Sequence, residues 1–108
     1  MDNMVYEQYR ALIKGEHRLS VFANTSAFLN EQLHTINWVG FYLNEDNKLI
    51  LGPFQGKVAC YTIPIGKGVC GTAAKLKETV LVKNVHEFKG HIACDSASNS
   101  EIVVPMIK

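Results

Sequence analysis

Three cysteines, Cys60, Cys70 and Cys94, are the side chains in this sequence best suited to chemistry, and they are widely spaced and odd in number. A secreted disulfide scaffold would carry more cysteines and an even count. In a reducing compartment a thiol is either buried and inert or reactive, and the reactive species is the thiolate. Cys94 lies in HIACDSASNSE, between a basic-aromatic loop (His86, Phe88, Lys89, His91) and the carboxylate of Glu101. Small neighbours would leave it accessible and nearby cations would favour its ionised form, so it reads as a nucleophile. The plainer reading is an ordinary small loop residue. Cys60 begins a predicted strand, where a small buried hydrophobe is the simpler account. Cys70, in GVCGTA at a predicted helix start, would have its pKa lowered by the helix dipole. Packing against a sheet explains it equally well. Either of the two could meet Cys94 in space, and sequence separation does not choose between them.

Other constellations are weaker. His86, His91 and Cys94 give H-x4-H-x2-C, but without a CxxC pair or an HExxH helix the spacing does not argue for zinc. GKGVCG lacks the spacing of a phosphate loop, and a turn whose glycines take positive φ is the better account. Trp38 and Tyr42, four apart on a predicted strand, share a face. They suit a core, or the wall of a pocket for a methyl or thioether group, since sulfur packs well on aromatic rings. Ser98, Asn99 and Ser100 fit a turn better than catalysis. Glu101 opens a strand, where a solvated strand end is the bland alternative to a pocket acid.

The elements that must position these groups are legible from periodicity. Residues 4 to 14 mix apolar and charged positions at helical spacing, with Gly15 as the stop. Leu19, Phe22, Ser26, Leu29 and Leu33 form the stripe of a second helix facing a core. From Ile36 the period becomes two: INWVGFYL carries apolar groups on both faces, the mark of a strand covered on both sides. The cluster Glu45–Lys48 is a turn, and KLILGPF completes a hairpin. CYTIPI is a third strand, with Pro64 favouring an edge or a strand end. GKGVCGTAAKL enters a short helix, TVLVKNV is a strand by its β-branched content, residues 86 to 99 form a long loop, and EIVVPMI is a last strand. The order predicts an α+β domain with an antiparallel sheet.

Composition bounds the function. The chain has 108 residues, 47% hydrophobic and 19% charged, with a formal net charge of +1. These values fit one globular domain and give no electrostatic case for nucleic acid or an anionic membrane as partner. No apolar run reaches membrane-spanning length and the first residues lack a signal-peptide profile, so the expected location is cytoplasmic. The chain stops at Lys108 directly after an apolar strand, which would leave an unpaired edge. That reads as a domain truncated at its C-terminus.

INWVGFYL, LGPFQG, GKGVCGTAA and VHEFKGHIACDSASNSEIVVP together resemble the free methionine-(R)-sulfoxide reductases, a branch of the GAF fold. The resemblance covers nearly the whole chain from Ile36 and includes all three cysteines in the family's order. It implies a GAF-like antiparallel sheet flanked by helices and reduction of the free amino acid, with no bound cofactor and no metal. It also implies that the Cys94 thiolate attacks the sulfoxide sulfur, releases methionine and is left as a sulfenic acid. Cys60 would resolve it as a disulfide, with Cys70 as alternative or relay, and thioredoxin would restore the thiols. Trp38 and Tyr42 match positions lining the substrate pocket, and Glu101 matches a pocket acid that protonates the departing oxygen or grips the substrate ammonium. Defence against oxidative stress is the implied setting. Family members continue past Lys108 with a further strand carrying an acidic pair. A chain without that segment is expected to be less stable and much less active than a complete domain. A GAF-type sensor without turnover, and a fragment that folds on pairing with a second chain as a homodimer or by strand exchange, are the alternatives.

Overall fold

The computed structural model describes residues 3–85, 88 and 100–107. Contacts divide the chain into two units, one of Met1–Phe41 with Gly52–Lys57 and one of Tyr42–Leu51 with Val58–Lys108.

The first unit is built on two helices. Helix α1 (Asn3–Ile13) ends just before Gly15, whose φ of 77° is the left-handed conformation that glycine adopts without a Cβ penalty at a helix end. Helix α2 (Arg18–Gln32) starts at His17, whose Nδ1 accepts a hydrogen bond from the Leu19 amide at 3.1 Å. The imidazole thus satisfies one of the first-turn N–H groups that a helix leaves without a partner. The expected stripe on α2 holds only in its middle. Leu19 is 60% and Leu33 40% exposed, because one lies in the first turn and the other is the C-cap, already off the helix. The buried positions are Thr25 and Ser26. The Ser26 hydroxyl donates to the Phe22 carbonyl at 2.9 Å and to the Pro53 carbonyl at 3.2 Å, so its burial leaves no polar atom stranded. Tyr9 joins α1 to α2 through a 2.8 Å hydrogen bond between its hydroxyl and Thr25 Oγ1, and its ring lies 5.6 Å from that of Phe28. Phe22 and Phe41 approach to 4.6 Å, within the range of favourable aromatic pairs.

Strands β1 (Trp38–Glu45) and β2 (Lys48–Gly56) contribute residues to both units. Asp46 and Asn47 join them with φ of 53° and 62°. Two successive left-handed residues make the type I′ turn that matches strand twist in a tight hairpin, and Asp and Asn tolerate it. In the second unit β3 (Thr62–Pro64) pairs antiparallel with β2, setting Leu49 opposite Ile63. Both are buried, so the hydrophobic pair fixes the register. The sheet order is β1-β2-β3, which leaves Pro64 on an outer strand as its missing N–H requires.

Helix α3 (Gly68–Leu76) follows a turn in which Gly66 and Gly68 take φ of 89° and 63°, as expected for this glycine pair. Gly71 lets α3 approach β3: a Cβ there would sit 2.5 Å from the Pro64 carbonyl oxygen. Strand β4 (Val80–Val82) pairs antiparallel with β5 (Glu101–Val103), Val82 opposite Glu101. Helix α3 packs on β3, β4 and β5. Leu49, Ile63, Val69, Ala73 and Val85 form the buried core of this unit. The α+β class with antiparallel strands is borne out, and the described strands form a three-stranded and a two-stranded sheet.

Candidate active site

The second unit brings together four of the residues singled out by sequence: Tyr42, Cys60, Cys70 and Glu101. Tyr42 projects from β1 and Glu101 is the first residue of β5. Cys70 is held in the first turn of α3, with Val69 and Ala73 of the same helix buried. Cys60 does not begin a strand as expected: β3 starts at Thr62, and Cys60 lies in the segment leading into it. That segment is tied down by two consecutive carbonyls. The Tyr42 hydroxyl donates to the Cys60 carbonyl at 2.7 Å. The Leu51 amide donates to the Tyr61 carbonyl at 2.9 Å.

The electrostatics of the cluster keep protons on. Burial pushes the Tyr42 phenol up to about 12, and the charges of Cys70 and Glu101 add to the effect. Burial also pushes the Cys70 thiol up to about 12, with the Glu101 carboxylate second. A buried ionisable acid loses the hydration of its anion, and an adjacent anion adds repulsion. Both groups therefore stay protonated donors at neutral pH. The helix start was expected to lower the Cys70 pKa. The structure corrects this: desolvation outweighs the dipole of a nine-residue helix.

The sulfurs differ in state. Cys60 is disulfide-bonded and Cys70 carries a free thiol. A protonated thiol is a poor nucleophile, so Cys70 is suited to packing and proton holding. Cys94, expected as the nucleophile, lies outside the described residues, as do His86, Lys89, His91, Ser98 and Asn99. Among the described residues no group of three or more His, Cys, Asp or Glu side chains is placed to hold a metal ion. No described helix is long and apolar enough to cross a membrane.

Trp38 belongs to the first unit, where its ring stacks on Phe54 at 5.3 Å and 17° and its Nε1 donates to the Lys57 carbonyl at 3.2 Å. Sequence reasoning missed the Tyr42–Cys60 bond. Its partners are 18 positions apart, and nothing in the local pattern of either residue signals it.

No family model matches the chain. Among curated proteins it is 58% identical over 100 residues to the free methionine-R-sulfoxide reductase of Escherichia coli, covering 92% of this chain and 61% of that protein. The chain spans less than two thirds of the length of the curated relatives it matches. A structure of fRMsr of Staphylococcus aureus in its reduced form superposes with a TM-score of 0.92 and 58% identity, over 96% of this chain and 68% of that one. A structure of free methionine-R-sulfoxide reductase from Neisseria meningitidis in complex with its substrate gives 0.92 and 44%, over 96% and 64%. A GAF domain structure gives 0.88 and 48%, over 95% and 63%.

Proposed function

We infer that this chain, which belongs to the free methionine-R-sulfoxide reductase family and has its GAF fold, reduces free methionine-(R)-sulfoxide to methionine at a cysteine centre. The Cys94 sulfur attacks the sulfoxide sulfur, methionine leaves, and the oxygen stays on Cys94 as a sulfenic acid. The methionine sulfur gains the two electrons that the Cys94 sulfur loses. The Cys60 thiolate then displaces the sulfenic oxygen, which departs with a proton as water, and a Cys60–Cys94 disulfide forms. Thioredoxin supplies two electrons by thiol–disulfide exchange, and no bound cofactor is needed.

The observation that carries this reading is the division of labour among the sulfurs. Cys60 is disulfide-bonded, whereas Cys70 is a free thiol held protonated beside Glu101. This supports Cys60 over Cys70 as the resolving residue. Oxygen leaves a sulfoxide only with protons delivered to it. Glu101, which lies in the same cluster as Tyr42 and Cys70, is the residue assigned to deliver that proton, which it takes from water, or to grip the substrate ammonium.

A single-turnover assay tests the reading without a reductant. Reduced protein is mixed with free methionine-(R)-sulfoxide, with the S epimer, or with a peptide containing the sulfoxide. Methionine should be released from the free R epimer alone, and Cys94→Ser should abolish its release. Release by Cys94→Ser at the parent rate would remove the mechanism.

A further inference from the structure

We propose that Tyr42 is a positioning residue for Cys60: by gripping the Cys60 carbonyl it holds the backbone where the cysteine is joined in a disulfide, and so favours the oxidised over the dithiol form. Its place in turnover rests on the functional reading above; the effect on the disulfide does not.

The segment between the end of β2 at Gly56 and the start of β3 at Thr62 needs such a grip. Its large apolar side chains give it no anchor, since Val58 is 86% and Tyr61 83% exposed. Hydrogen bonds restrain it instead: the Trp38 indole holds the Lys57 carbonyl at its start, and the Tyr42 side chain and the Leu51 amide hold the adjacent carbonyls of Cys60 and Tyr61. The sheet order sets β2 between β1 and β3. The Tyr42 side chain therefore reaches past the central strand, which takes a long side chain with a donor at its tip. Phenylalanine would fill the same space and grip nothing. Because burial keeps the phenol protonated, the donor persists at any neutral or mildly alkaline pH.

The link to redox state is geometric. A disulfide forms only within narrow limits of Cα separation and dihedral angle. A cysteine whose backbone wanders meets those limits less often, so the dithiol gains at the expense of the disulfide. A net hydrogen bond is worth a shift of about three- to tenfold in such an equilibrium.

The test equilibrates the full chain in glutathione buffers of graded ratio, quenches with acid, alkylates, and counts free thiols at Cys60 by mass spectrometry. In this exchange two protein thiols lose two electrons and two protons, and one oxidised glutathione becomes two reduced molecules. Tyr42→Phe should lower the equilibrium constant for the disulfide about three- to tenfold. Tyr9→Phe, which loses a 2.8 Å side-chain hydrogen bond in the first unit, should leave it unchanged. A change below twofold in Tyr42→Phe, or an equal change in Tyr9→Phe, would overturn the proposal. Methionine sulfoxide takes no part in this measurement. A protein that releases no methionine but shows the Tyr42 shift refutes the functional reading alone, and one that turns over without the shift refutes this proposal alone.

Discussion

Cys70 should resist alkylation in the folded protein far more than an ordinary thiol does. The physical cause is burial, reinforced by the Glu101 carboxylate, which lifts the thiol from the ordinary 9.0 to about 12. At any pH below both values the thiolate fraction is then about a thousandfold smaller. A more basic thiolate is also a better nucleophile, and a Brønsted coefficient of about 0.45 returns about a factor of twenty. The net effect is a rate about fiftyfold below that of an unperturbed thiol, before any steric shielding. The assay uses Cys60→Ser/Cys94→Ser, which leaves one thiol, and follows iodoacetamide labelling from pH 7 to 10 in buffer and in concentrated urea. Adding Glu101→Gln removes the lesser cause and should raise the folded-state rate while leaving it well below the rate in urea. A folded-state rate within tenfold of the unfolded one would refute the reasoning, because burial would then not be controlling the thiol.

The same groups give a pH dependence of stability. Tyr42 and Cys70 bind their protons more tightly folded than unfolded, so their contribution is complete below about pH 9 and is lost as pH rises towards about 12. The urea midpoint should therefore fall between pH 9 and 11, and Cys70→Ala should flatten the fall; the Cys70 share is bounded at about 4 kcal/mol. A midpoint that stays level over this range would contradict the assigned shifts. At Gly71 a Cβ would lie 2.5 Å from the Pro64 carbonyl oxygen and 3.1 Å from the Gly66 nitrogen, both backbone atoms. Gly71→Ala should accordingly cost about 1–3 kcal/mol in urea unfolding, and a neutral result would mean that α3 is free to move away from β3.

The order of elements was readable because each carries its own local signal. The hairpin is announced by alternation in INWVGFYL and by Asp46-Asn47, which take the left-handed φ values that the turn demands. The glycines of GKG take the positive φ values, 89° and 63°, expected from the sequence for a turn. What local pattern did not reveal depends on partners distant in sequence. Leu19 looked like part of an inward stripe, but a helical period cannot say where along its length a helix stops packing. Cys70 looked activated by its helix, because the dipole is a local property whereas burial is set by the whole unit. By local pattern alone Cys60 reads as an inert strand residue, and the disulfide is implied only by the resemblance; the fold shows its sulfur in a disulfide and adds the Tyr42 bond to its carbonyl. The family resemblance was carried by cysteine-bearing motifs, and identity to relatives bears out the family.

The most direct test of the account is a peptide map of the sulfurs after one turnover. Reduced protein is given one equivalent of free methionine-(R)-sulfoxide, quenched in acid, alkylated under denaturing conditions and digested. The account predicts one methionine per chain, a Cys60–Cys94 disulfide, and Cys70 alkylated as a free thiol. A disulfide containing Cys70, or methionine formed with Cys60 and Cys94 both still reduced, would contradict it.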